Sequence, residues 1–191
     1  KGTSPRDPDP AIDRLLGEEL RRSAKDRAEL LMITDLVRND LGKVCVPGSV
    51  RVPSLRDLES FPHVHHLVST VRGRLAPGRD ALDALAALFP AGSIVGCPKR
   101  RAMEILGGLE TAARGVYTGT VGWVGFDRSC AFNVAIRTAW LRDGVFSFGA
   151  GGGIVADSDP SREWDELGWK ARAIADALRA SLEEAPRGSG R

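Results

Sequence analysis

The chain has 191 residues, 42% of them hydrophobic, and a formal net charge of +2. That is enough apolar material for one good core, or for a large piece of a bigger domain. Charges of both signs are interspersed without a basic face, which argues against nucleic acid, and neither a signal peptide nor a bilayer-length apolar run is found, which argues against a membrane.

Cys45, Cys97 and Cys130 are odd in number, widely spaced and in no metal-ligand pattern. They read as reduced thiols of a cytoplasmic protein. The chain opens on Lys1, and we expect it to be the C-terminal part of a longer polypeptide.

Gly2 to Asp9 reads as loop. Ala11 to about Leu41 reads as helical, with Gly17 as a possible break and a longer helix from near Ser23. On that helix Met32, Ile33 and Leu36 mark an apolar face, and Glu29 falls on it three, four and seven residues earlier. A carboxylate within an apolar stripe must neutralise, pair or bind a cation. Asp26 adds negative charge one turn earlier.

Lys43 to Val52 reads as a short strand pair turning at Pro47-Gly48, and His65 to Val71 as a strand. His63 and His65 share one strand parity, but no third metal ligand stands at motif spacing. His66 faces the other way, as a candidate acid, base or donor, or simply a satisfied core histidine. Asp80 to Leu88 reads as a short helix. The stretch from Phe89 to Lys99 follows, with glycines and Ser93 before a helix that starts at Pro98. Its backbone N–H groups suit a carboxylate or a phosphate, although the spacing is not that of a Walker loop.

From Gly115 to Val155 the pattern is a strand meander: Val116 to Val124, Cys130 to Leu141 and Val145 to Val155, with a hairpin at Asp143-Gly144. The glycines Gly151 to Gly153 resemble a dinucleotide fingerprint only superficially, because the strand before them closes an antiparallel hairpin. Arg137 is placed on the small, polar face of a central strand, suited either to clamp a carboxylate or to make a structural ion pair.

Asp159-Pro160 reads as N-cap and first residue of a helix running to about Arg179. Trp164, Leu167, Ala171, Ile174 and Leu178 form its buried stripe. Glu163, Glu166 and Lys170 lie along one edge of that stripe, either as a surface ion pair or as part of a site beside the glycine-rich bend. Carboxylates on two helices, Glu29 and Glu166, with few histidines or thiols to assist, suit a hard cation such as magnesium. The tail, residues 181–191, is expected to be disordered.

The strings DLVRNDLG, HLVSTVRG, FPAGSIVGCPKRRAMEIL, GTVGWVG, AIRTA and GAGGGIVADSDPSREWDELGWKARAI resemble the C-terminal half of chorismate-utilising enzymes. This resemblance extends over nearly all of the chain to about Leu178. It implies an α+β fold with antiparallel sheets packed as a two-layer sandwich and helices outside, so that residues 1–180 form a catalytic region.

It further implies magnesium held by Glu29 and Glu166, flanked by Asp26 and Glu163. Tyr117, Arg137, Gly151, Gly152 and Gly153 would hold the enolpyruvyl carboxylate of chorismate. Ser93, His66 and Lys170 would line the ring, with Gly2 and Thr3 as further substrate contacts. Asp26 departs from the longer glutamate usual in the family, and Cys97 stands where alanine is usual.

Lys1-Gly2-Thr3 is similar to the end of a Pro-Ile-Lys-Gly-Thr motif found in aminodeoxychorismate synthase component I. There the lysine is a nucleophile, together with ammonia from a glutamine amidotransferase, separate or fused, in folate and para-aminobenzoate biosynthesis. The alternatives are anthranilate synthase component I, an isochorismate or salicylate synthase, and a catalytically silent remnant acting as a binding module.

Overall fold

The computed structural model of the chain describes residues 2–154 and 158–184. The polypeptide divides into two compact units, Lys1–Met103 and Glu104–Arg191. Helices and antiparallel sheets are both present, and the fold is α+β.

The first unit is organised around a three-stranded antiparallel sheet of β1 (Gly2–Pro5), β2 (Arg51–Ser60) and β3 (Val64–Arg72), in the order β1-β3-β2. Thr3 stands opposite His66, and Leu58 opposite Leu67. Helices α1 (Pro10–Arg22) and α2 (Ala24–Gly42) contact this sheet. The core consists of Leu20 from α1, Leu30 from α2 and Leu67 from β3, with Leu58 packed against them. Leu67 is fully buried. A leucine taken wholly out of water contributes about 1.5–3 kcal/mol.

The break between the two helices falls at Ser23 and not at Gly17. Asp9 caps α1 by accepting from the N–H groups of Ala11 and Ile12, with Pro10 in its first turn. Ser23 ends α1 and caps α2, accepting from the Asp26 N–H. Gly17 lies inside α1 because the helix passes close to the sheet. A Cβ there would stand 3.1 Å from Leu58 Cδ2 and 3.7 Å from the His65 ring.

The face of α2 also differs from expectation. Leu30, Thr34 and Asp40 are buried, whereas Met32 is 51% exposed and Glu29 is exposed. Glu29 is therefore not embedded in an apolar stripe within this unit.

The expected strand pair at Lys43 to Val52 is instead a single Cys45–Leu75 bridge and a tight turn, in which Ser49 N–H donates to Val46 O, leading into the long β2. Asp80 caps α3 (Ala81–Leu88) through a reciprocal box with Asp83. The one-turn α4 (Gly92–Val95) and α5 (Lys99–Leu109) follow.

In the second unit β4 (Thr120–Val124) pairs with β5 (Cys130–Val134), and β6 (Ala139–Arg142) with β7 (Val145–Phe148). The expected strand Cys130 to Leu141 is thus two strands. Arg137 stands in the break with φ +53°, not in the middle of a sheet. Asp143 and Gly144 both have positive φ, as a two-residue hairpin turn requires.

Helix α6 (Pro160–Glu184) begins where expected, with Asp159 accepting from the Arg162 N–H, and continues past Arg179. Leu167, Ala171, Ile174 and Leu178 are half-buried, but Trp164 is 74% exposed. Among the described residues no single helix is long and apolar enough to cross a membrane. Most of the expected tail, residues 185–191, lies outside the described residues.

Candidate active site

In the first unit the sheet edge gathers several of the expected residues. Thr3 Oγ1 lies 2.9 Å from His66 Nδ1, as their register pairing dictates. The His66 ring also tilts against Phe61 with centroids 5.3 Å apart. Gly2 rests on α2, where a Cβ would come within 2.8 Å of Asp26 Oδ1. Asp26 is itself hydrogen-bonded by Ser23 Oγ. Glu29 follows one turn along α2. Ser93 is exposed on α4, whose Gly92 packs on Leu36 of α2. Lys1 lies outside the described residues.

The other histidine of β3 has a structural role. His65 is 4% exposed, with Ser60 Oγ 2.8 Å from Nδ1 and Asp13 Oδ1 3.0 Å from Nε2. Both ring nitrogens are thus engaged, which removes the two-histidine metal reading with His63. Arg6 donates to the same Asp13 oxygen at 2.7 Å. That bond, ahead of the contact with His65, holds the Asp13 carboxyl far below the usual carboxylate range.

A second network fixes α2 to the helices that follow. Asp40 is 4% exposed and receives Lys43 Nζ at 2.8 Å and Lys99 Nζ at 2.6 Å. Burial pushes the Asp40 carboxyl upward, and the two lysines overcome it, leaving the group below its ordinary range. Lys99 also donates to Leu88 O at the end of α3.

In the second unit the glycine bend is packed on Tyr117. A Cβ on Gly149 would fall 2.2 Å from Tyr117 Cγ, and one on Gly151 2.6 Å from the phenol oxygen. Only glycine permits this approach. Burial raises the Tyr117 phenol, while the positive charges of Arg114 and Arg137 draw it down. The phenol therefore stays protonated at neutral pH, a donor beside the bend. The turn carrying Tyr117 is tied to the approach to Arg137, because Thr118 N–H donates to Ala135 O and Ala135 N–H to Gly119 O.

From α6, Lys170 Nζ lies 2.5 Å from Glu166 Oε1 and donates to Gly151 O at 3.2 Å. Glu163 accepts from Ser158 Oγ at 2.8 Å, and its other oxygen lies 3.1 Å from where a Cβ on Gly152 would stand. Helix and bend are thus joined by Lys170, with two carboxylates alongside. The expected ion pair of Glu166 and Lys170 is present, and it is part of this corner rather than an isolated surface pair. Val155 to Asp157, the end of the expected last strand, lie outside the described residues.

The family described as chorismate binding enzyme matches residues 1–176. The chain belongs to the chorismate-binding enzyme family. It is 56% identical over 178 residues to anthranilate synthase component 1 of Streptomyces coelicolor, a match covering 93% of this chain and 35% of that protein. It is 49% identical to aminodeoxychorismate synthase component 1 of Salmonella typhimurium, covering 93% and 39% respectively.

The menaquinone-specific isochorismate synthase MenF of Escherichia coli superimposes with a TM-score of 0.80 at 26% identity, over 91% of this chain and 40% of that one. The chain spans about a third of the length of the curated relatives it matches.

Among the described residues no three His, Cys, Asp or Glu side chains form a ready-made cation cage. The acids available are hard oxygen donors, the type magnesium takes, usually one or two carboxylates with the rest water. Glu166 Oε1 is held by Lys170 and Glu163 Oε1 by Ser158, so protein donors orient both carboxylates.

The resemblance grouped Tyr117 with the glycine bend, although spacing along the chain alone says nothing of which ring the glycines meet. The Arg114–Glu110 pair at 2.6 Å beside it was missed, and it had a signal, an acid four residues before an arginine.

Proposed function

We propose that this chain is the C-terminal catalytic part of an aminodeoxychorismate synthase component I. The enzyme would convert chorismate and ammonia to 4-amino-4-deoxychorismate, with ammonia supplied by a glutamine amidotransferase. The single observation carrying the choice within the family is Lys1 directly before Gly2-Thr3 in the sequence, where Gly2 and Thr3 open the strand whose Thr3 meets His66.

In this reading Tyr117, Arg137 and the N–H groups of Gly151 to Gly153 hold the enolpyruvyl carboxylate, and Lys170 lines the ring. Arginine and backbone donors suit its two oxygens. His66, positioned by Thr3, and Ser93 line the ring. Glu29 and Glu166, flanked by Asp26 and Glu163, would hold magnesium, which supplies positive charge to the ring carboxylate as electron density leaves the diene.

The Lys1 amine attacks C2 of the ring as the 4-hydroxyl departs, forming a C–N bond and releasing water once that group is protonated. Ammonia then bonds to C4, the C2–N bond breaks, and the lysine is regenerated. Two easier displacements replace one difficult one.

The experiment withholds ammonia. Intact mass spectrometry of the active enzyme with chorismate and magnesium is expected to find an adduct of chorismate less water on Lys1. Lys1→Ala should remove it and slow amination. An enzyme that aminates C4 at an unchanged rate after that substitution refutes the covalent route.

A second reading, anthranilate synthase component I, is favoured by the 56% identity to the Streptomyces protein. It predicts release of pyruvate and a fluorescent aromatic product.

A further inference from the structure

We propose that the first unit carries a second, separate binding site, for a small multiply charged oxyanion, at the end of the β2–β3 pair remote from His66. Arg51 of β2 stands directly opposite Arg72 of β3. Like charges placed opposite one another on a ladder oppose pairing, so a sheet that keeps them gains from an anion between them.

The next residues bring in a third guanidinium. At Gly73 a Cβ would lie 2.6 Å from the buried Cys45 Sγ. Arg74 stands two residues beyond Arg72 and lines the same cavity as Arg51. Arg74 is held in place by its backbone, with Val46 N–H donating to Arg74 O and Arg74 N–H donating to Ser49 Oγ.

The turn at Pro47, Gly48 and Ser49, together with Arg51 and Arg74, lines a cavity of about 290 Å³. Among the described residues no carboxylate pairs with Arg51, Arg72 or Arg74, whereas Arg6, Arg38, Arg79 and Arg114 all have one. The volume is at the small end for ligand sites, which fits a phosphate group or a compact polycarboxylate rather than a whole nucleotide. Arginine forks match either oxyanion bidentately.

The test is isothermal titration of the protein with inorganic phosphate and, separately, with citrate, at one ionic strength maintained by sodium chloride. Saturable binding of either is expected. The stronger of the two identifies phosphate or carboxylate as the group recognised.

Arg51→Ala and Arg74→Ala should each weaken binding about tenfold. Arg51→Lys should recover only part of it, because the fork is lost while the charge stays. Arg14→Ala, on α1, should leave it unchanged. Arg51→Glu should abolish binding and raise the melting temperature, since it converts a repulsive cross-strand pair into an attractive one.

Neither anion binding saturably up to about 10 mM overturns the proposal, that concentration being well above the range of specific sites. Equal weakening by Arg14→Ala also overturns it, since it would reveal only general charge attraction.

Discussion

The two units are built from similar hairpins and helices, yet they bury very different amounts of themselves. In the first, Leu20, Leu30, Val44, Cys45 and Leu67 are buried, and Thr34, Asp40 and His65 lie among them. In the second, Ala135 alone is buried among the described residues, while Val121, Trp123, Leu141, Val145 and Trp164 are all more than half exposed. Three strands covered by two helices enclose a core in the first unit, whereas the second, in a chain that spans about a third of its relatives' length, pairs its strands only two by two among the described residues. The candidate carboxylate pocket is therefore supported by local devices: glycines against one ring, a lysine bridging helix and bend, and a capped helix start.

That contrast can be broken most sharply at Leu67. Leu67→Ala should cost the first unit about 2–5 kcal/mol by emptying a fully buried position. Val121→Ala in the second should change stability by only about 0.5 kcal/mol. Chemical denaturation of each variant measures both, and equal losses would erase the distinction.

Glycine substitutions sharpen the same comparison within the second unit. Gly149→Ala drives a methyl into the Tyr117 ring and should lower chorismate turnover at least about tenfold, since small misplacements at a site are costly. Gly153→Ala has nothing within 4 Å of the new methyl and should leave stability near normal. Circular dichroism and kinetics of the pair separate packing from general loss of flexibility.

A smaller effect is expected from acid. The Asp40 carboxyl lies below its unfolded value, so its contribution is present above the unfolded pKa and is lost as pH falls through the folded one. The first unit should therefore lose stability progressively below about pH 4. Asp40→Asn should flatten that acid limb, and an unchanged limb would remove Asp40 from the account.

Much of this was legible along the chain. Asp80 and Asp159 signalled helix starts, Asp143-Gly144 a hairpin, and Glu166 and Lys170 an ion pair, all by short-range rules that hold whatever the tertiary packing. Strand β2 was hidden, because Pro53 and the charges of Arg51, Arg56, Asp57 and Glu59 mask an alternation that appears only as half-buried Val52, Ser54, Arg56 and Leu58. Gly17 was misjudged as a break because its reason, close approach to Leu58 and His65, lies far along the chain.

The face of α2 was misplaced for a similar reason. Periodicity allows more than one stripe, and the partner element decides which is buried. At the site, the glycine bend could be read from composition, but the ring it packs on and the break at Arg137 could not.

The central claim is amination of chorismate at C4, and the most direct measurement is identification of the product. The active enzyme would receive chorismate, ammonia and magnesium, with products resolved by mass and fluorescence. The account predicts a non-fluorescent amino compound that retains the enolpyruvyl group, with no pyruvate released. A fluorescent aromatic acid accompanied by pyruvate would contradict it and select the anthranilate chemistry. Chorismate left unchanged would contradict both.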